Sequence, residues 1–237
     1  MMPCEFFNVD CIQFMRDMLS SGITYDTTIT DIPYGEVNGE EHFNGLRSYT
    51  RIRGNADKVT FSLDEFLPLV YSITKEIIII FCGMGQMSYV FNYFKEKQNQ
   101  KKGTVRQLVW EKKNACPMNG HNAYLNGIEN AIWFKKAGSK RFSHKYRNTV
   151  FRYNILSEKK IHPTEKNHDL LTELILGNSF EGDVIFDPCA GSGAVCECAV
   201  KCGRESVGCE LDEQFFKSAC NRLISRGITT QESGAKN

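Results

Sequence analysis

Two short groups of residues carry the side chains best suited to chemistry, and they lie far apart in the chain. The first is Asp31-Ile32-Pro33-Tyr34, which follows a predicted strand at residues 27–30. Its carboxylate can accept hydrogen bonds from an amino group, its proline stiffens the turn, and its aromatic ring can stack on a planar group. This combination favours a site that grips a flat base with an exposed amine.

The second group is Asp187-Pro188-Cys189-Ala190-Gly191-Ser192-Gly193, which stands between an apolar strand at residues 184–186 and a predicted helix at residues 194–202. The next predicted strand, residues 207–209, ends in Glu210. A glycine turn lets the backbone approach a ligand closely, and a carboxylate after the following strand can accept hydrogen bonds from both hydroxyls of a ribose. The segment therefore predicts a nucleoside-binding βαβ unit.

The nearest relative of this turn is the dinucleotide fingerprint GxGxxG. Gly191 and Gly193 supply the first two glycines, but Cys196 occupies the place of the third. That glycine permits close packing of helix on strand, so its replacement favours a ribose-bearing ligand without a diphosphate. A nicotinamide oxidoreductase and a purely structural strand–turn–helix stay open as alternatives.

Helices and strands alternate along the chain. Helical spacing and a capping box predict helices at residues 11–19, 62–74, 87–97, 169–176 and 213–225, and apolar runs predict strands at residues 77–81, 106–110 and 130–134. Such alternation predicts one α/β domain over residues 1–237, with a Rossmann-like, mostly parallel sheet covered by helices on both faces.

Three segments carry no clear pattern. Residues 35–60 are polar with scattered glycines, residues 138–160 are basic, and residues 229–237 form a short polar tail. Long loops inside a compact domain are usually functional. The first segment is therefore a candidate lid or strand-inserting element, and the second a candidate short target-recognition insert. The tail is predicted to be disordered.

Charge is distributed unevenly, although the net charge is only +1. Residues 95–160 contain 16 Lys and Arg against 4 Glu and no Asp, whereas the rest of the chain has 13 basic and 24 acidic residues. A basic surface with exposed rings suits a phosphate backbone and unstacked bases. The alternative is a solvated lysine-rich face whose aromatics belong to the core. The aromatic residues in question are Trp110, Tyr124, Trp133, Phe134, Phe142, Tyr146, Phe151 and Tyr153.

Composition indicates the setting of the protein. The 237 residues, 41% of them hydrophobic, can bury one core, and the chain has neither an apolar run that could span a bilayer nor a signal-peptide pattern at its N-terminus. A cytoplasmic protein without membrane contact is expected. The ten cysteines form no CxxC pair, and the spacings of Cys196 with Cys198 and of Cys116 with His121 suit zinc poorly. Reduced structural thiols and no metal are predicted.

Taken together, the motifs resemble a known family, the S-adenosylmethionine-dependent amino-methyltransferases that modify adenine N6 or cytosine N4 in DNA. The resemblance is to the group in which the catalytic motif precedes the cofactor motif. Residues 31–34 look like its DPPY motif, 187–193 its DPFxGSG motif, 162–166 its HPTxKP segment and 207–212 its GxExD stretch. Residues 8–11 resemble its acidic turn near the cofactor adenine, and residues 110–112 its W-x-K strand end. Four ordered motifs are far more specific than one.

This resemblance implies a methyltransferase fold with a circularly permuted motif order and a role for each motif. Asp31 and the carbonyl of Ile32 would accept the two amine hydrogens, Pro33 would keep the turn rigid, and Tyr34 would stack on the base. The partner would be double-stranded DNA with its target base flipped out. S-adenosylmethionine would be held by Asp10 at the adenine, Glu210 at the ribose, Thr164 and Lys166 at the carboxylate, and Asp187, Cys189, Gly191, Ser192, Gly193 and Leu211 around it.

Five positions depart from the family pattern. None removes a chemical group that the reaction requires, which favours an active enzyme over a degenerate one. The departures are Val9 for glycine, Ile32 for proline, Asn167 for proline, Cys189 for phenylalanine and Ala194 for threonine.

Several alternatives stay open within this resemblance. Adenine N6 is favoured over cytosine N4 because an aspartate heads the catalytic motif, where many cytosine-N4 members have serine. An RNA or small-molecule methyltransferase on the same fold and a non-catalytic nucleic-acid-binding subunit are the competing interpretations. The short basic segment favours either a short recognition site or a homodimer that shares one duplex.

Overall fold

The structure is a computed structural model that describes residues 4–34, 61–115, 124–142, 148–155 and 165–234. The strands are β1 (Cys4–Asn8), β2 (Tyr25–Asp31), β3 (Thr74–Cys82), β4 (Gly103–Lys112), β5 (Ile128–Lys136), β6 (Val150–Tyr153), β7 (Val184–Asp187), β8 (Glu205–Glu210) and β9 (Thr230–Gly234). The helices are α1 (Cys11–Ser20), α2 (Leu63–Ile73), α3 (Met84–Asn99), α4 (His168–Asn178), α5 (Ala194–Lys201) and α6 (Glu213–Ser225).

All described strands form one sheet in the order β6-β4-β5-β3-β2-β7-β8-β1-β9. Every neighbouring pair is parallel except those that β5 makes with β3 and β4. The strand order reverses between β2 and β7, where ligands of open α/β sheets bind beyond the carboxyl ends of the strands. The predicted α/β fold with a mostly parallel sheet is confirmed.

The central strand β3 explains why helices cover both faces. Ile78 and Ile80 pack into one core cluster with side chains of α1, α2 and α3. Ile77 and Ile79 point the other way and pack with side chains of α4 and α5. Because side chains alternate between the faces of a strand, a continuous apolar run can be buried only when both faces are covered.

The fold corrects one expectation drawn from the sequence and bears on two points that the sequence left open. The tail was expected to be disordered over residues 229–237, but Thr230–Gly234 pairs with β1 and thereby satisfies the exposed backbone groups of that strand. Residues 138–160 contain β6, which pairs with β4. Four of the aromatics considered for nucleic-acid contact are buried in the core, namely Trp110, Trp133, Phe134 and Phe151, whereas Tyr124 and Phe142 are exposed.

The described residues also bear on membrane spans and metal sites. None of the helices in the described residues has the length and hydropathy that a membrane span needs. Within the same residues, no grouping of His, Cys, Asp and Glu has the arrangement of a metal site.

Gly208 on β8 shows how the chain packs α5 closely without the third fingerprint glycine. A Cβ at Gly208 would lie 2.7 Å from the Phe6 ring and 2.9 Å from Sγ of Cys196. The room that a glycine on the helix would supply is therefore supplied by a glycine on the strand, and Cys196 fills it.

We expect Gly208→Ala to destabilise the fold by about 1–3 kcal/mol, because the added methyl group overpacks a filled core. Urea unfolding of the purified protein measures this change. Gly127→Ala is the matched control, since its added Cβ would approach only one atom, at 4.0 Å. Equal stabilities of the two variants would contradict the packing argument.

Candidate active site

The carboxyl ends of four parallel strands meet at one edge of the sheet, and each carries a polar residue there. Asn8, Asp31, Asp187 and Glu210 end β1, β2, β7 and β8. Asp31, Asp187 and Glu210 line a cavity of about 470 Å³, a size typical of small-molecule sites, which span about 300–1,000 Å³. The cavity lies at the reversal of strand order, as expected for a nucleoside site in such a sheet.

Most residues singled out from the sequence line this cavity. The lining includes Asp10, Asp31, Ile32, Pro33, Tyr34, Lys166, Asp187, Cys189, Gly191, Ser192, Glu210 and Leu211. Gly193 lies behind the turn as the N-cap of α5. Thr164 and the loop of residues 35–60 lie outside the described residues. Motifs more than 150 residues apart, such as Asp31 and Asp187, therefore share one site.

The glycine turn is held against the carboxylate of Glu210. Gly191 and Gly193 have φ angles of 50° and 72°, a region that side-chain-bearing residues rarely adopt. The Gly191 N–H donates to Oε2 of Glu210 at 2.9 Å, and the Asp212 N–H donates to Oε1 at 2.7 Å. Each carboxylate oxygen can accept a second hydrogen bond, so Glu210 can bind the turn and a ligand hydroxyl together.

Two further carboxyl groups of the cavity accept hydrogen bonds from the nearby backbone. Oδ1 of Asp10 caps α1 by accepting from the N–H groups of Ile12 and Gln13. Oδ1 of Asp187 accepts from the N–H of Cys189 at 3.1 Å, and burial raises the pKa of Asp187 to about 7. Both residues still line the cavity, so these contacts place them beside a ligand.

Hydrogen bonds to β3 and to Gln86 hold the turn after β2 in place. The Ile32 N–H donates to the Phe81 carbonyl of β3 at 3.2 Å, which continues the sheet pairing past Asp31. The Gln86 amide donates to the Pro33 carbonyl at 2.8 Å and accepts from the Gly83 N–H at 3.0 Å. The Tyr34 hydroxyl donates to Oδ1 of Asp31 at 2.9 Å. Asp31 and the tyrosine ring are thus fixed relative to each other.

Lys166 contacts this turn, a position that the sequence did not predict for it. Its ammonium lies 2.5 Å from Oδ2 of Asp31 and 2.9 Å from Oε2 of Glu129, and donates to the Tyr34 hydroxyl at 3.2 Å. The predicted contact of Lys166 with a cofactor carboxylate stays a prediction.

Glu129 is a site residue that sequence reasoning missed. Its other oxygen lies 2.9 Å from the ammonium of Lys112, at the end of β4. Because β5 runs antiparallel to β3 and β4, its first residues stand at the same sheet edge as the last residues of the parallel strands. A lone Glu at the start of a strand carries no motif, although Lys112 belongs to the W-x-K strand end.

The charges of this cluster control one another. Burial acts to raise the pKa of Glu129, but Lys166 and Lys112 outweigh it and hold that pKa at about 2. Burial acts to lower the pKa of Lys166, yet Asp31 and Glu129 keep it well above its ordinary value. For Asp31 burial dominates and raises the pKa, while Lys166 opposes the rise.

The fold and the cavity define a class of protein: a Rossmann-like α/β protein that holds a nucleoside ligand beside a carboxylate and an aromatic ring suited to a base amine. The family model described as DNA methylase (N6_N4_Mtase) matches residues 25–221. The chain therefore belongs to this family, the S-adenosylmethionine-dependent DNA amino-methyltransferases that its motifs resemble.

Individual relatives are distant but cover nearly the whole chain. The type II methyltransferase M2.DpnII of Streptococcus pneumoniae is 25% identical, over 93% of this chain and 89% of its own length. The crystal structure of an M1.HpyAVI–SAM complex has a TM-score of 0.70 at 24% identity, covering 93% of this chain and 100% of that one. The cytosine-N4-specific PvuII DNA methyltransferase has a TM-score of 0.67 at 12% identity, and the match covers 95% of this chain and 88% of that one. These two structural likenesses concern the fold alone.

Proposed function

We propose that the protein is a site-specific DNA methyltransferase that acts on the exocyclic N6 of an adenine flipped out of duplex DNA. The observation that carries this proposal is that Asp31 and Tyr34 line the same cavity as Glu210 and the glycine turn. A carboxylate and a ring suited to a base amine thus share one cavity with the residues suited to a nucleoside. Direct transfer between two bound groups requires such an arrangement, because both must be held together and aligned.

The cavity residues fit S-adenosylmethionine. Glu210 retains acceptor capacity for the ribose hydroxyls, and Asp10 stands at the start of α1 for the adenine. Gly191 and Ser192 line the cavity where the methionine part would lie. Asp187 and Glu210 place carboxyl groups in the cavity, which suits a ligand that carries a sulfonium charge. Thr164 and Lys166 are proposed for the ligand carboxylate, as the motif resemblance implies.

S-adenosylmethionine, when bound, supplies an electrophilic methyl group on a sulfonium sulfur. Asp31 and the Ile32 carbonyl accept the amine hydrogens, which favours a pyramidal nitrogen whose lone pair is available for attack. Tyr34 stacks on the base, and Gln86 keeps the turn in place. Transfer of that methyl group to the nitrogen would release a thioether, and Asp31 or water would take the amine proton that leaves.

The basic segment supplies the proposed contacts to DNA. Residues 138–160 include β6, whose last residue Tyr153 pairs with Lys112 at the sheet edge that carries the site. The side chain of Arg152 is 65% exposed there. A recognition insert in this position contacts the duplex beside the flipped base, with residues 35–60 as the proposed lid. The proposal implies a bacterial or phage-infected cytoplasm, and either a short recognition site or a homodimer on one duplex.

Adenine is the proposed target because an aspartate, Asp31, heads the catalytic motif, where many cytosine-N4 members of the family have serine. The second candidate is N4-methylation of cytosine, because the family model that matches the chain covers both N6 and N4 amino-methyltransferases. An RNA acceptor is the third.

Mass spectrometry of nucleosides separates these candidates. DNA and RNA are digested from cells that express the wild-type chain or the Asp31→Ala variant. We expect new N6-methyladenine in DNA with the wild type and none with the variant. N4-methylcytosine in DNA or N6-methyladenine in RNA would redirect the assignment, and no modified nucleoside in either pool would refute it.

Glu210→Ala is expected to weaken S-adenosylmethionine binding about 10- to 100-fold, because hydrogen bonds to a charged group contribute about 1.5–3 kcal/mol. Isothermal titration calorimetry measures the dissociation constant. Glu96→Gln is the control, since Glu96 is exposed on α3 away from the cavity. An unchanged affinity in Glu210→Ala would place the ribose elsewhere.

A further inference from the structure

The ammonium of Lys166 lies between two carboxylates at the catalytic turn. It is 2.5 Å from Oδ2 of Asp31 and 2.9 Å from Oε2 of Glu129. Its side chain is only 6% exposed, so water cannot readily replace either carboxylate as a partner. A buried ammonium needs such partners, because an unpaired charge in this setting is costly.

This contact places Lys166 where the target amine has to bind. Asp31 accepts from the Tyr34 hydroxyl with Oδ1 and from Lys166 with Oδ2. Each oxygen of Asp31 can still accept a second hydrogen bond, but an amine that donates there shares the carboxylate with a charged donor, whose hydrogen bond is about twice as strong as a neutral one. The amine therefore binds Asp31 most strongly once the ammonium of Lys166 has moved to another acceptor.

Glu129 is suited to be that acceptor. It already contacts Lys166, so the ammonium can pass from shared to exclusive contact with a small side-chain movement. Lys112 contacts the other oxygen of Glu129 at 2.9 Å and keeps the carboxylate in place. The two lysines also keep Glu129 ionised, since they hold its pKa at about 2 against the effect of burial.

We propose that Lys166 is the resident partner of Asp31, that the target amine displaces it, and that Glu129 is the positioning residue that keeps the displaced ammonium beside the catalytic turn. The inference rests on the proposed amine methylation. It assigns to Lys166 and Glu129 the control of when the Asp31 carboxylate is available to the amine.

Lys166 and Glu129 have opposite charges, so they should have opposite effects on the acid limb of the pH profile, the range in which activity is lost as pH falls. Asp31 must be ionised to accept the amine, so activity is lost as pH falls through its pKa, which burial raises and Lys166 opposes. Removing the Lys166 charge moves the limb to higher pH, and removing the Glu129 charge moves it to lower pH. The groups that face Asp31 from the surrounding elements are Tyr34, Cys82, Glu129, Lys166 and Asp187.

The test compares wild type with Lys166→Gln, Glu129→Gln, Glu129→Asp and the control Glu96→Gln. The rate of DNA methylation is measured at saturating S-adenosylmethionine between about pH 5 and about pH 9. We expect opposite movements of the acid limb in the first two variants. In Glu129→Gln, Lys166 keeps Asp31 as its single carboxylate partner, so the target amine displaces it less easily. KM for DNA should therefore rise about 2- to 10-fold, and this change should exceed the fall in kcat. Glu129→Asp should restore part of the loss.

Limbs that move in the same direction, or not at all, in variants of an active wild type would overturn the inference and leave the proposed function intact. A wild type that methylates neither DNA nor RNA would refute both. For a variant too inactive to assay, NMR titration of ¹³C-labelled aspartate carboxyls, assigned with Asp31→Asn, measures the same pKa directly. An Asp31 pKa unchanged by both substitutions would again overturn the inference.

Discussion

Asp31→Asn is expected to lower kcat for DNA methylation on the order of 10²–10⁴-fold, the range that a positioned acceptor of a reacting proton contributes. The amide has the size of the carboxylate but only one acceptor oxygen, and its NH₂ group would face the target amine. The charge that balances Lys166 at 2.5 Å is lost as well. S-adenosylmethionine should bind with nearly unchanged affinity, because Glu210 and the glycine turn form the other half of the cavity.

Single-turnover methylation measures the chemical step, and calorimetry of cofactor binding shows whether the site is intact. Asp17→Asn is the matched control, because Asp17 is exposed on α1. A kcat within about tenfold of wild type would mean that the amine does not depend on Asp31, since tenfold in rate corresponds to only about 1.4 kcal/mol of barrier.

Arg222→Ala is expected to produce the largest loss of stability, about 3–5 kcal/mol, because it removes one member of a buried ionic cluster. Arg222, on α6, lies 2.6 Å from carboxylate oxygens of both Glu197 and Glu165. Its guanidinium also contacts Nε2 of His168 at 2.6 Å. Glu197 and Glu165 are both buried, so each loses a close counter-charge when the guanidinium is removed, although Lys201 still contacts Glu197.

Urea unfolding of the full chain measures this free energy. Arg152→Ala is the matched control: its partner Glu111 is also exposed, and surface ion pairs contribute about 0–1 kcal/mol. A loss in Arg222→Ala no larger than that of the control would contradict the role of the cluster. The cluster also joins α6 and α5 to the segment that precedes α4, which carries Lys166, so activity should fall together with stability.

Local signals explain why much of the fold could be predicted. Ser62 caps α2 through the Asp64 N–H, as its spacing to Glu65 indicated. The isoleucine run of β3 is buried on both faces, as a continuous apolar strand must be. The predicted closing helix at residues 213–225 matches α6 in full. These features depend on neighbours within a few residues, which the sequence displays directly.

Edge strands and buried rings could not be predicted in the same way. The edge strands β6 and β9, and β1 beside β9, are short, and their pairing depends on which distant strand presents free backbone groups. Trp110 and Trp133 stand among basic residues in the sequence, yet the sheet turns them into the core. Linear spacing alone does not state which face of a strand is covered.

The sequence by itself determined which residues the proposed chemistry depends on. Asp31, Tyr34, the glycine turn and Glu210 are recognisable because each stands at the end of a strand, and parallel strands bring their carboxyl ends to one edge. Only the tertiary structure decided which charges surround Asp31. Glu129 reaches it because β5 is antiparallel, and Lys166 because the chain returns to this edge before α4. Electrostatic coupling depends on distance in space, which strand order sets and sequence separation does not.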